Sequence, residues 1–183
     1  SKKEELEQGE ADYAAGVQEL QVQEDQLEQS RKELESKKAE LEQSAAALEE
    51  GKAQIQSEKE NLQNLQSQAK EAQAALPELE AQMEALQESL GEEGSPGYEE
   101  TLQAVQQLQV QYEQAKGASD SLTQIEEGLS SIRQQEEALA SQEQALEEGR
   151  TQIQEFEAQI ADGEAQLQAA KEEAEVQLAQ ARE

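Results

Sequence analysis

The sequence predicts an all-α fold, a long antiparallel two-helix coiled-coil hairpin with a short helical tip. An apolar heptad runs from Leu6 to Leu90, a second runs from Ile125 to Ala181, and one cluster of turn residues lies between them at 91–97. An apolar residue at every seventh position is typical of supercoiled helices. Two such segments joined by a single turn predict a hairpin.

The two heptads match each other in antiparallel order. The residue numbers of facing positions add up to 187 in seven successive layers, as for Leu41 with Leu146 and Leu20 with Leu167. The midpoint of this register falls near residue 94, inside a segment that holds three glycines and one proline. Because glycine and proline mark turns independently of any periodicity, their position supports the hairpin.

Local breaks in the pattern predict three segments. Pro77 should bend or restart the first helix, since proline in a helix interior removes a backbone hydrogen bond. The residues from Gly117 to Asp120 should interrupt the return helix, with Asp120 or Ser121 as a new N-cap. The resulting segments are an ascending stalk helix at 1–75, an acidic helical tip with its loop at 76–118 and a descending stalk helix at 119–183.

Composition restricts the class of protein. Only 34% of the residues are hydrophobic and 2% aromatic, too few for a compact core, while the strict apolar period argues against disorder. Lys and Arg number 14 against 43 Asp and Glu, a net charge of −29. We therefore expect neither nucleic acid nor an anionic lipid surface as a partner, because both require cationic residues.

The usual catalytic and metal-binding groups are missing from the sequence. The chain has no histidine and no cysteine, so Ser-His or Cys-His nucleophiles and thiolate metal sites are excluded. Glutamates on an exposed helix are not tuned as acids or bases. We expect no enzymatic activity, no catalytic or metal-binding residue and no cofactor.

The acidic tip contains the candidate partner-binding residues. No Lys or Arg occurs from Glu71 to Ala115, so this part of the chain should attract a cationic or polar protein or another component of a cell envelope. Tyr98 fits either the apolar seam or partner binding. The candidate residues around the loop are Glu92, Glu93, Tyr98, Glu99 and Glu100.

Small residues follow many of the heptad hydrophobes by three positions. Glycine inside a helix costs about 1 kcal/mol relative to alanine, so its repeated placement suggests a purpose. Either the small residues let antiparallel helices approach closely, or they leave a lateral groove for another helix, including self-association of the stalk. Nearer the tip the seam should be doubled, with Leu65 against Leu122, and Phe156 should lie opposite Arg31. The small residues are Gly9, Gly16, Ser30, Ser44, Gly51, Gly128, Gly149 and Gly163.

Four short motifs resemble a known group of proteins. They are Leu6-Glu7-Gln8-Gly9, Leu48-Glu49-Glu50-Gly51-Lys52, Leu146-Glu147-Glu148-Gly149-Arg150 and Ile160-Ala161-Asp162-Gly163. In this respect the chain resembles the extracytoplasmic coiled-coil insertions of Gram-positive bacterial membrane proteins, chiefly FtsX-like or MacB-like ABC transporter permeases and the YhgE/Pip family. The resemblance implies a stalk on the outer membrane face that couples transmembrane helices to an envelope partner.

The resemblance and the abrupt, charged ends suggest an excised segment of a larger protein that meets the membrane only through flanking sequence. No apolar run approaches the roughly 20 residues that span a bilayer, and no signal-peptide pattern opens the chain. Two other classes stay open. An adaptor-type periplasmic hairpin has similar geometry, and a cytoplasmic coiled-coil scaffold is equally compatible with the composition.

Overall fold

The computed structural model describes residues 1–182, and this part of the chain is helical apart from its first residue and two connections. The helices are α1 (Lys2–Ser89), α2 (Tyr98–Asp120) and α3 (Leu122–Arg182), and no strand occurs among the described residues. None of the described helices contains an apolar stretch that could span a bilayer. The predicted all-α helical hairpin is confirmed.

The chain divides into two compact units. Unit 1 contains residues 1–49 and the chain from residue 141 onward, and unit 2 contains residues 50–140. Each unit packs a segment of α1 against a later segment, and the partner number falls as the α1 number rises, which is antiparallel pairing. The predicted tip, 76–118, lies wholly within unit 2, and its boundary with a stalk stays a prediction.

α1 does not restart at Pro77. The helix continues from Lys2 to Ser89 with Pro77 inside it, although the proline has no N–H to donate to the carbonyl of Gln73. Leu76 and Leu79 are both half-buried in the adjoining turn, and Ala69, two turns earlier, is only 2% exposed. Packing of α1 on both sides of Pro77 outweighs the loss of one backbone hydrogen bond.

The connection between α2 and α3 is a single residue. Ser121 has φ −75° and ψ −11°, which is right-handed helical geometry, and its N–H donates to the Gly117 carbonyl at 3.2 Å. The Ser121 hydroxyl donates to the Ala118 carbonyl at 2.6 Å instead of capping the N-terminus of α3. The predicted cap at this residue is therefore wrong, and the interruption is smaller than expected.

Residues 90–97 connect α1 to α2 within unit 2 and include all seven residues of the expected loop. Gly94 and Gly97 have φ of 86° and 79°, in the left-handed region that side chains other than glycine rarely occupy. The Ser95 N–H and hydroxyl both donate to the Glu92 carbonyl, at 3.0 Å and 2.6 Å. These bonds close the turn.

The apolar core is narrow. Seven side chains are buried among the described residues, and all of them belong to the apolar heptads or to the α2 segment between them. Leu65, expected in a doubled seam, is 48% exposed, so the expectation is wrong at this position. The buried residues are Leu48, Ala69, Val105, Ile125, Ile132, Ile160 and Leu167.

Candidate interaction surfaces

One edge of the helix pair carries ion pairs that join α1 to α3. In unit 1 the α1 members recur every seven residues, at one heptad position beside the apolar seam, and the residue numbers of each pair add up to 195. A pair in unit 2, Lys59 with Glu136 at 2.8 Å, has the same index sum. The unit 1 pairs are Arg31 with Glu164 at 2.5 Å, Lys38 with Glu157, and Glu24 with Lys171 at 3.2 Å.

These ion pairs act more on register than on stability. Each is partly exposed, and exposed pairs contribute about 0.2–1 kcal/mol. A shift of α3 by one heptad in one direction would set Arg31 beside Lys171, and a shift in the other would set Glu24 beside Glu164. Because like charges in contact repel, only the observed register gives opposite charges along this edge.

Glycines receive leucine side chains from the opposite helix. The Cδ1 atom of Leu41 lies 3.1 Å from the point that a Cβ on Gly149 would occupy, and Cδ2 of Leu27 lies 2.9 Å from the same point on Gly163. Unit 2 repeats the arrangement, with Leu62 at 3.2 Å from Gly128. The layers therefore pair a large with a small residue. The close-approach interpretation of the glycine pattern is confirmed at these positions.

The index sum of these layers is 190, three more than the 187 read from the sequence. Leu41 thus packs over Gly149, and Leu146 lies one layer away, where it lines a common cavity with Leu41. Antiparallel coiled coils interleave the two heptad positions, because side chains of opposed helices point in opposite axial directions. The predicted antiparallel order is correct, and the predicted facing partners are displaced by one layer.

The edge opposite the ion pairs carries a groove with few charged side chains. In unit 1 two adjoining cavities of about 340 and 440 Å³ share Leu41 and Ser44 and run along the seam. We call this surface the lateral groove. It is lined by Lys37, Glu40, Leu41, Ser44, Ala47, Leu48, Gln142, Ala145, Leu146, Gly149, Gln152, Ile153 and Phe156.

The floor of the lateral groove is apolar and partly exposed. Leu41, Leu146 and Ile153 are half-buried although they occupy heptad positions of the core. Ala47 and Ala145, at the rim, are exposed and too short to cover them. The ion-paired edge also has a cavity, of about 460 Å³, but ion-paired side chains such as Arg31 and Glu164 line it. The two edges therefore differ in the charge of their lining.

Phe156 lies at one end of the lateral groove beneath a lysine. The ammonium nitrogen of Lys37 stands 4.8 Å from the centroid of the Phe156 ring, within the range of a cation–π contact. Arg31, the expected neighbour of Phe156, pairs with Glu164 instead. Lys37, and not Arg31, is therefore the basic residue that lies over Phe156.

The five candidate partner-binding residues surround the connection between α1 and α2. Glu92 and Glu93 are exposed in the loop, Glu99 and Glu100 are exposed in the first turn of α2, and Tyr98 is half-buried at its start. The carboxylates of Glu99 and Glu100 stabilise α2, because negative charge is favourable near the N-terminus of a helix. Within residues 1–182 none of the four glutamates forms a salt bridge.

Tyr112 links α2 to α1 inside the predicted tip. Its hydroxyl donates to the Glu80 carboxylate at 2.9 Å. This hydrogen bond raises the pKa of the Tyr112 phenol, and partial desolvation and the charges of Glu80 and Asp120 act in the same direction. The heptad pattern gives no sign of this contact with Glu80.

No group of three or more carboxylates among the described residues is arranged to hold a metal ion. No family model matches the chain, and neither a curated protein nor a solved structure is significantly similar to it. The surfaces themselves are therefore the basis for a function: an ion-paired edge, a lateral groove and an acidic loop region.

Proposed function

We propose that this chain is a non-enzymatic extracytoplasmic coiled-coil stalk of a bacterial membrane protein, of the ABC transporter permease type. It couples the membrane to an envelope partner or substrate that docks at the acidic tip. The observation that carries the proposal is the clustering of four exposed glutamates around the loop at 90–97, without a compensating cation.

The charge distribution supports docking of a cationic or polar partner. On the paired edge, lysines and arginines neutralise facing glutamates, as Arg31 does for Glu164. Around the loop this neutralisation is missing, because the sequence has no Lys or Arg from Glu71 to Ala115. An uncompensated acidic surface increases the rate of encounter with cationic partners, and the effect decreases as salt rises.

Charge reversal in the full-length membrane protein tests this role. Changing Glu92, Glu93, Glu99 and Glu100 to Lys should abolish partner coupling, measured as loss of the protein's cellular activity at equal surface abundance. The matched control reverses four exposed glutamates elsewhere, Glu35, Glu42, Glu126 and Glu127, with the same change in net charge. If the first variant behaved as wild type, the four glutamates would have no role in docking.

The extracytoplasmic location can be tested separately, because the chain itself has no cysteine and any cysteine in the flanking sequence can first be replaced. A Glu93→Cys variant of the full-length protein should react with a membrane-impermeant maleimide in intact cells. Labelling only after permeabilisation would favour a cytoplasmic scaffold. An adaptor-type periplasmic hairpin also predicts extracytoplasmic labelling, but it requires flanking β-rich lipoyl-like sequence in place of transmembrane spans.

A further inference from the structure

The lateral groove differs in charge from the rest of the protein. The whole chain has a net charge of −29, yet of the thirteen residues that line the groove only Lys37 and Glu40 are charged, and they cancel. A second copy of this chain is repelled by most of the surface and meets no net charge among the residues that line the groove. Half-buried leucine and isoleucine side chains form its floor.

We propose that the lateral groove is an interface between two copies of this chain. The copies pack face to face about a two-fold axis, with their α1 helices antiparallel and the axis crossing between Lys37 and Glu40. Because these residues stand three positions apart on α1, about one turn, the axis sets Lys37 of each copy beside Glu40 of the other. The two-fold axis therefore creates two equivalent ion pairs, each between Lys37 of one copy and Glu40 of the other.

The same axis brings short side chains together. It sets Ala47 of each copy near Ser30 of the other, so that the backbones can approach without obstruction. Leu41 and Ile153 of both copies then lie close to the axis and enclose a common apolar layer, and Leu146 lies farther from it along the groove. Burial of such partly exposed side chains is the main favourable contribution to association, and the ion pairs select the alignment.

The ion-paired edge is less suited to this contact. There the seam is flanked by side chains already engaged with the opposite helix, such as Arg31 with Glu164 and Lys38 with Glu157. Docking a helix on that edge would require these pairs to be broken or desolvated. At the lateral groove no ion pair has to be broken, because the uncharged Ala47 and Ala145 stand at its rim.

Sedimentation equilibrium of the chain at about 0.15 M salt, where charges are screened beyond about 8 Å, tests the proposal. Wild type should show a reversible monomer–dimer equilibrium. Lys37→Glu should raise the dissociation constant about tenfold or more, because symmetry converts two attractions into two repulsions. Glu40→Lys should do the same without removing the contact between Lys37 and Phe156.

The double variant Lys37→Glu with Glu40→Lys should restore dimerisation to within about threefold of wild type, since the pairs are re-formed with exchanged signs. Lys32→Glu is the matched control. It changes the net charge by the same amount, lies outside the groove and pairs only with Glu28 of its own helix, so the dissociation constant should stay within about threefold.

Three results would overturn the proposal: a wild-type chain that is monomeric at every concentration, equal effects of Lys37→Glu and Lys32→Glu, or no recovery in the double variant. Circular dichroism of each variant establishes that helix content is unchanged. A monomeric wild type would leave a helix of another protein as the occupant of the groove.

Discussion

The Cδ1 atom of Leu41 lies 3.1 Å from the point that a Cβ on Gly149 would occupy. The leucine thus fills the space that any other residue at 149 would need, and the two helices approach over a glycine. Gly16, in the equivalent heptad position of α1, has nothing within 4 Å of its own Cβ point. The same residue type therefore has opposite consequences at two places in unit 1.

A larger side chain at the occupied glycine should be unfavourable. Gly149→Leu should lower the free energy of unfolding by about 1–3 kcal/mol, the usual range for overpacking. Gly16→Ala, the control, should raise it by up to about 1 kcal/mol, because alanine favours the helix and meets no neighbour. Chemical denaturation followed by circular dichroism measures both. If Gly149→Leu were as stable as wild type, the packing of Leu41 would not require a glycine at position 149.

Exchanging the charges of one ion pair tests the role of the ion-paired edge. Arg31→Glu should lower the free energy of unfolding by about 0.5–1 kcal/mol, because it sets a glutamate beside Glu164 on a partly exposed edge. Arg31→Glu with Glu164→Arg should recover most of the loss. The i,i+4 pair of Lys32 and Glu28 is the control, since it joins no second helix. A double-mutant cycle without coupling between Arg31 and Glu164 would contradict the role of this pair in register.

The antiparallel register should be reproduced by crosslinking. Ser44 and Leu146 line one cavity in unit 1, so Ser44→Cys with Leu146→Cys should oxidise to an intramolecular disulfide. Ser44→Cys with Leu167→Cys is three heptads out of step and should give none. The cysteine-free sequence leaves no competing thiol. Non-reducing electrophoresis separates the products, and crosslinks that occur only between chains would disprove the hairpin.

The hydrogen bond from Tyr112 to Glu80 predicts that the stability of the fold decreases at alkaline pH. Because the folded-state pKa of Tyr112 is raised, the contribution of this bond is complete below the unfolded pKa of about 10. It is lost as pH rises through the folded pKa. Glu80→Gln should shift the titration of Tyr112 to lower pH. Spectrophotometric titration in a Tyr13→Phe, Tyr98→Phe background isolates the signal, and an unchanged titration would exclude control by Glu80.

Pro77 inside α1 predicts a stabilising substitution. Pro77→Ala supplies an N–H for the Gln73 carbonyl and removes the ring, so the free energy of unfolding should rise by about 1–3 kcal/mol. Pro96, in the connection between α1 and α2, is the matched control. Pro96→Ala should lower stability by about 0.4–1 kcal/mol because it loosens the unfolded chain. If the free energy of unfolding rose for both variants, or for neither, the interruption of α1 by Pro77 would not be the cause.

Much of the fold could be predicted because it depends on local and periodic properties. The apolar heptads predicted the helices and their antiparallel order, and the turn residues at 91–97 marked the point of chain reversal. The ion-paired edge was also readable, since Lys38 and Glu157 occupy equivalent heptad positions in their helices.

The layer partners could not be obtained from periodicity alone. A repeat of seven is compatible with Leu41 opposite Leu146 or opposite Gly149. Side-chain packing in the structure shows that Leu41 lies over Gly149. Pro77 likewise has a strong local tendency to interrupt a helix, which packing overrides in α1. The exposed state of Leu65 depends on where its neighbours lie and has no local signature.

The sequence by itself therefore determined that the chain is helical, that its two heptads run antiparallel and where it turns, because those properties follow from residue spacing and turn chemistry. Only the tertiary structure decided which edge of the seam is lined by ion pairs and which by short, uncharged side chains. That difference arises where side chains of two helices meet: Arg31 reaches Glu164 on one edge, while on the other Ala47 and Ala145 are too short to cover the apolar floor.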